Sequence, residues 1–184
     1  MKKWKLLSST VALDERWFKV RRDTVRLPND KIIDDYFVWV APEVVMVVPI
    51  THNGKFVLIK QYKHGIRKII IEFPAGVVEN GDSAQKTARR ELEEETGYVA
   101  KKIKLLGKLY SDPTKKTSKV NIYSAENVLP MGKQKFDETE EIEVLVKSYA
   151  EVIRMMKNGD ITDECSLSAM FLLEKKHLGK FKKK

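Results

Sequence analysis

Residues 90–97 read Arg-Glu-Leu-Glu-Glu-Glu-Thr-Gly. On a helix, Glu91, Glu94 and Glu95 fall at i, i+3 and i+4 and share one face, while Glu93 points elsewhere. Like charges at that spacing destabilise a helix by roughly 0.2–0.5 kcal/mol per pair unless a cation sits among them. Arg90, four residues before Glu94, can neutralise only part of the cluster. Three clustered carboxylates without matching cations suit a hard divalent ion, Mg2+ or Mn2+. The same stretch also reads as a solvated acidic helix face, and the helix by itself does not choose between the two.

The surrounding pattern does. Gly76 is followed after five residues by Asp82, and after seven more by Arg90-Glu91-Leu92-Glu93-Glu94-Glu95-Thr96-Gly97-Tyr98. That spacing resembles the 23-residue Nudix box, with identities at Gly76, Arg90, Glu91, Glu94, Glu95 and Gly97. Six specified identities at a residue frequency of about one in fifteen arise by chance about once in ten million placements. Two positions depart from the box. Asp82 stands for the first Glu, keeping the charge with a shorter reach, and Tyr98 fills the last aliphatic position with a ring.

The resemblance extends over about residues 16–174. Gln61-Tyr62-Lys63 and Glu72-Phe73-Pro74-Ala75-Gly76 look like segments of the ADP-ribose and nucleoside diphosphate sugar pyrophosphatases, and Pro113 lies where that subfamily carries a marker proline. The resemblance implies an α/β/α sandwich with a mixed sheet and an N-terminal antiparallel strand extension, an α/β (α+β) fold. It implies metal-dependent hydrolysis of a diphosphate joining a nucleoside to a sugar, with Glu91, Glu94, Glu95 and the Ala75 carbonyl as metal ligands. Arg90 is then the orienting partner of a box carboxylate. Lys63 is expected at the phosphates, Glu72 at the nucleoside or terminal-ribose end, and Trp39 is an aromatic candidate for the base, alongside Trp17, Tyr36 and Phe37. Core or interface packing is the other fate open to those rings. The general base is expected on the acidic loop Phe136-Asp137-Glu138-Thr139-Glu140-Glu141, at Glu140, with Glu141 and Glu138 as rivals. The three histidines, His52, His64 and His177, show no ligand spacing, which argues against zinc.

These groups need a scaffold. The β-branched run Val44-Val45-Met46-Val47-Val48-Pro49-Ile50 reads as a strand buried on both faces. His52-Asn53-Gly54-Lys55 reads as the hairpin turn to Phe56-Val57-Leu58-Ile59. Strand patterns begin at Trp17 and turn at Pro28-Asn29-Asp30, and Ile69-Ile70-Ile71, Ile103–Tyr110, Val120–Ala125 and Ile142–Val146 read as further strands. The clearest helix is 82–96, with Ala84, Ala88 and Leu92 as its apolar stripe, Asp82 as its cap and Gly97 as its stop. Closing helices are expected over 148–157 and 162–175, separated by Asn158-Gly159-Asp160. The expected division is an N-terminal extension at 1–42 that dimerises, a catalytic domain at 43–174 and a basic tail at 175–184.

Composition limits the partners. The chain has 184 residues and a formal net charge of +9, which points toward nucleic acid until the charge is located. Residues 175–184 hold six lysines and no acid, and the remaining 174 residues carry only 29 basic against 26 acidic side chains. The excess is chiefly a solvated tail, so nucleic acid is not the expected partner. A lone cysteine, Cys165, excludes an internal disulfide and fits a reducing, cytoplasmic setting. The longest apolar run is far short of a membrane span. The basic start is followed by an apolar stretch that Ser8-Ser9-Thr10 breaks, which argues against a secretory signal. Relatives with an N-terminal strand extension share active sites across a homodimer, so a homodimer is expected. Removal of pyrophosphate from RNA 5′ ends, which would employ the tail, and a catalytically dead Nudix-like ligand sensor are the rival readings. The intact Arg90, Glu91, Glu94 and Glu95 argue against the second.

Overall fold

The computed structural model describes residues 1–135 and 141–176. Two compact units divide the chain, Met1–Glu43 with Tyr110–Lys119, and Val44–Leu109 with the residues from Val120 onward.

The first unit is an antiparallel meander of β1 (Lys5–Glu15), β2 (Phe18–Arg26) and β3 (Ile32–Trp39). The turn read at Pro28-Asn29-Asp30 is present, with Asp30 at φ 62° and its N–H donating to Leu27 O at 3.0 Å. β1 was not read as a strand. Every one of its residues is exposed, so Lys5–Glu15 lacks the apolar/polar alternation that burial on one face imposes. Its inward anchor is polar: the Ser9 hydroxyl donates at 2.6 Å to Asp23, which is 4% exposed and also held by Arg21 Nε at 3.0 Å. The loop after Pro113 belongs to this unit, since Trp39 N–H donates to Lys115 O at 2.8 Å and Thr117 N–H to Trp39 O at 3.1 Å.

The second unit is built on β4 (Val44–Thr51), whose interior is wholly buried as its β-branched run requires. Beside it lie β5 (Phe56–Lys63), reached through the expected turn with Gly54 at φ 77°, and β6 (Lys68–Glu72), which pairs with β5. The short β7 (Ala75–Val77) adds to β4 by pairing Ala75 with Met46. β8 (Ile103–Tyr110), β9 (Lys119–Val128) and β10 (Ile142–Lys147) complete a mixed sheet in the order β10-β5-β4-β9-β8, with β9 parallel to β4.

Alternation along the central strands sorts the core into two layers. Met46, Val48, Phe56, Leu58 and Ile122 pack with Val152 of α2 (Tyr149–Asn158) and with Ala169, Met170 and Leu173 of α3 (Glu164–Lys176). Val45, Val47, Val57 and Tyr123 pack on the other face with Ala88 and Leu92 of α1 (Ala84–Thr96). Helices on both faces of a mixed sheet make this unit an α/β/α sandwich. Among the described residues no helix is long and apolar enough to cross a membrane.

One local reading is corrected. Asp82 does not cap α1. The cap is Ser83, whose hydroxyl accepts from Lys86 N–H at 3.2 Å, while Asp82 forms an ion pair with the Lys86 ammonium at 2.7 Å. Both types are good caps, and the first helical residue is Ala84 rather than Ser83, which moves the cap by one position.

Candidate active site

The turn between β6 and α1 is where distant residues meet. Pro74 O accepts from Val47 N–H at 2.9 Å, which lays the turn on the central strand. Phe73 N–H donates at 3.0 Å to the hydroxyl of Ser166, a fully buried residue of α3. Ala75 N–H donates at 2.9 Å to Glu95 Oε2. At Gly76 the Glu91 carboxyl comes so close that an added Cβ would stand 2.0 Å from Glu91 Cδ. Glycine allows that approach without displacing the carboxyl, which ties the first residue of the box to the carboxylate fifteen positions later. Glu91 and Glu95 thus converge on two consecutive residues, Ala75 and Gly76.

Arg90 takes up the opposing charge. Its guanidinium lies 2.8 Å from Glu91 Oε1, 2.7 Å from Glu94 Oε2 and 3.6 Å from Glu79. Glu95, only 5% exposed, forms no ion pair with another described residue. Burial foremost, with Glu91 and Glu72 adding repulsion, pushes its carboxyl up to about 8 against the opposing pull of the Ala75 N–H and Lys63. The far end of α1 is closed by residues 132–135. Lys135 N–H donates to Glu94 O and the Gln134 side chain to Glu95 O, both at 2.9 Å. Glu93, which the helix spacing turned away from the cluster, lies against Gly132, where an added Cβ would meet its Cγ at 2.7 Å.

Lys63 and Glu72 were expected on separate parts of a substrate. The structure pairs them. Lys63 Nζ lies 2.8 Å from Glu72 Oε1, and the Gln61 amide donates to the same oxygen at 2.8 Å. Gln61 and Lys63 stand at i and i+2 on β5 and so share a face, a strand-period signal that groups the two with each other. Glu141 is exposed and directly precedes Ile142, which pairs with Gln61 across β10 and β5. Glu138 and Glu140 lie outside the described residues. Trp39 belongs to the first unit, where Phe18 stacks on it at 5.0 Å and Lys116 Nζ stands 5.2 Å from the ring centroid.

A model of the NUDIX domain matches residues 40–164, and a model of the nucleoside diphosphate sugar hydrolase N-terminal domain matches residues 4–39. The chain belongs to the Nudix family. An ADP-ribose pyrophosphatase of Bacillus subtilis is 32% identical over 155 residues, covering 84% of this chain and 83% of that protein. The methanol dehydrogenase activator of Bacillus methanolicus is 31% identical over 160 residues, covering 86% of each. A crystal structure of an ADP compounds hydrolase superposes with a TM-score of 0.86 at 28% identity over 98% of both chains. The Nudix match spans the Ala75–Gly76 turn and all of α1. As a Nudix hydrolase the chain acts on diphosphate bonds, and Nudix hydrolases in general need a divalent cation.

The donor set suits such a cation: carboxylates and a backbone carbonyl are hard oxygen ligands. Among the described residues no three acidic, His or Cys side chains already stand within reach of one ion, and Arg90 engages both Glu91 and Glu94. An incoming cation therefore competes with Arg90 for those two carboxylates. The raised Glu95 carboxyl is the other sign of fit, a buried acid whose burial outweighs the pull of the Ala75 N–H and Lys63.

The residues that sequence reasoning missed are Ser166, Gln134 and Gln61. Ser166 lies 93 positions from the amide it holds, so no local pattern could have pointed to it.

Proposed function

We propose that the chain hydrolyses the diphosphate of ADP-ribose or a related nucleoside diphosphate sugar, giving a nucleoside monophosphate and a sugar phosphate, with Mg2+ or Mn2+. The observation that carries this reading is the convergence of Glu91 and Glu95 on the Ala75–Gly76 turn, Glu95 at hydrogen-bond distance from Ala75 N and Glu91 at a glycine where any side chain would displace its carboxyl. Glu91, Glu94, Glu95 and the Ala75 carbonyl would hold the cation. When bound, it supplies the positive charge that makes an anionic diphosphate approachable and its attacking water acidic.

The chain's own residues do the rest. Arg90 keeps Glu91 and Glu94 oriented on α1. Glu140 or Glu141 takes the proton from water as its oxygen attacks phosphorus, and the bond to the bridging oxygen breaks with the electron pair leaving on the departing phosphate. Lys63, held by Glu72, presents a point charge to the phosphates, and Glu72 keeps one oxygen for a hydroxyl of the substrate. Trp39 is the aromatic candidate for the base. Residues 1–42 form a dimerisation extension ahead of a catalytic domain at 43–174, and the enzyme works as a cytoplasmic homodimer.

The relatives named as ADP-ribose pyrophosphatase support the substrate class. The test compares Mg2+-dependent product release from ADP-ribose, GDP-mannose and triphosphorylated RNA. Turnover of a nucleotide sugar with RNA untouched is expected. Turnover of RNA alone, or of none, would overturn the reading, and a monomeric mass by light scattering would remove the dimer.

A further inference from the structure

At the far end of the sheet from the carboxylates lies a second concentration of charge, of opposite sign. Met46 of β4 pairs with both Ala75 and Ile122, whereas Val48 and Ile50 pair with Ser124 and Glu126. Four residues of strand separate Met46 from Ile50, roughly 13 Å at 3.3 Å per residue. There a hollow of about 350 Å3 is lined by Lys101, Lys102, Lys104, Ser124, Glu126 and Asn127. Glu126 and Asn127 also line a second hollow of about 430 Å3 that reaches the 52–55 turn.

Three features separate this place from an ordinary solvated lysine face. The lysines occupy three of four consecutive positions, and none forms an ion pair with another described residue. The backbone that carries them is held: Arg89 donates to the carbonyls of Ala100 and Lys101, and Gln85 donates to Ile103 O at 3.3 Å. The charges are therefore brought together by the fold rather than dispersed on a mobile loop, and Arg89 adds a fourth cation behind them. Third, Ser124 is only 2% exposed yet lines the hollow, and its hydroxyl has no hydrogen-bond partner among the described residues. A ligand reaching into the hollow would meet it.

Ammonium groups gathered around one hydroxyl donor match a phosphate, which offers several charged acceptor oxygens to point charges. Among the described residues Glu126 is the only acid in the lining, and it borders the second hollow as well. The first hollow alone has the volume of a small-molecule site. We propose that this hollow binds a phosphate-bearing small molecule, its phosphate against Lys101, Lys102 and Lys104 with Ser124 donating, at a site separate from the carboxylates of α1.

The test is calorimetric titration of the metal-stripped full-length protein with inorganic pyrophosphate. Without a cation the carboxylates of Glu91 and Glu94 repel an anion, so the catalytic site contributes little. The wild type is expected to bind. Lys102→Glu with Lys104→Glu weakens binding by about tenfold or more, and Ser124→Ala by about fivefold. Mg2+-dependent turnover stays within about twofold of wild type in the lysine double variant, whose unliganded melting curve checks its folding. Lack of binding by the wild type, or equal binding by the variants, overturns the proposal. So does stronger binding of a single-stranded RNA that the same lysine changes abolish, since that marks a nucleic-acid surface.

Discussion

α1 and α2 end alike and are held differently. Each stops at a glycine in the left-handed region, Gly97 at φ 70° and Gly159 at φ 80°. α2 carries its own support. The Ser148 hydroxyl caps its first turn, Glu151 returns to the Ser148 N–H at 2.8 Å, and Lys157 complements the dipole in its last turn. Hydrogen bonds from the Ser148 side chain and backbone hold the Glu151 carboxyl below its usual range. α1 has a good cap at Ser83 and then places Glu91, Glu93, Glu94 and Glu95 toward its C-terminus, with no basic residue in the last turn. The dipole disfavours negative charge there. Its relief comes from Arg90 nearby and otherwise from Ala75, Gln134 and Lys135, all outside the helix. A helix built for stability draws on its neighbours in sequence; this one spends local stability on a charge cluster that the tertiary fold must restrain.

The widest separation between the two should come from Glu95→Gln. Loss of a ligand should exceed the 10–100-fold typical of groups that merely support one, so turnover falls by more than about a hundredfold. Thermal stability moves the other way. A carboxyl raised to about 8 in the folded chain, against 4.5 when unfolded, stabilises the fold below the unfolded value, and this contribution is lost as pH rises through about 8. The metal-free wild type therefore melts at falling temperatures between about pH 5 and pH 8.5. Glu95→Gln flattens that slope and melts no lower than wild type at pH 8. An unchanged turnover, or a melt that collapses with it, would break the comparison.

Gly76→Ala tests the same cluster from the other side. The new methyl collides with Glu91, and displacing that carboxyl by about 1 Å should cost up to about a hundredfold in turnover. The concentration of cation for half-maximal activity should rise. Wild-type cation dependence would show that Glu91 need not sit where it does.

Ser166→Ala leaves the Phe73 N–H buried and unpaired, a cost of about 1–3 kcal/mol. The melting midpoint should fall by several degrees, and the shift of the Ala75 turn should weaken cation dependence as well. A fall in melting temperature alone would reduce Ser166 to packing.

The smallest effect sharpens the contrast between the caps. Gly159 has open space around it, so Gly159→Ala costs only the left-handed backbone, about 1 kcal/mol, and leaves turnover unchanged. At Gly97 the same methyl also meets Gly132 O at 3.3 Å, so Gly97→Ala should melt lower still and lose turnover. Equal behaviour of the two variants in both assays would erase the distinction between the helices.

Most of the sandwich was legible along the chain. The buried run of β4, the 52–55 turn, the stripe of Ala84, Ala88 and Leu92 and the stop at Gly159 are all local signals whose period or turn chemistry survives folding. β1 was not legible, because an exposed strand imposes no alternation on its sequence. The grouping of the loop after Pro113 with the N-terminal sheet rests on backbone hydrogen bonds that Trp39 makes with Lys115 and Thr117, which side-chain types do not encode. Lys63 and Glu72 could be picked out as charged, but not as partners of each other, since their pairing requires the β5–β6 register.

The sequence alone determined that Glu91, Glu94 and Glu95 share a face, because a helix repeats every 3.6 residues wherever it lies. It also determined the family, since the box is a matter of spacing. Only the tertiary structure decided what those carboxylates face and which of them is buried. Glu95 meets Ala75 across 20 residues, and Phe73 meets Ser166 across 93. Contacts at that range depend on how the helices close over both faces of the sheet. The same closure excludes water from Glu95, and the loss of water, more than any neighbour in sequence, sets its charge.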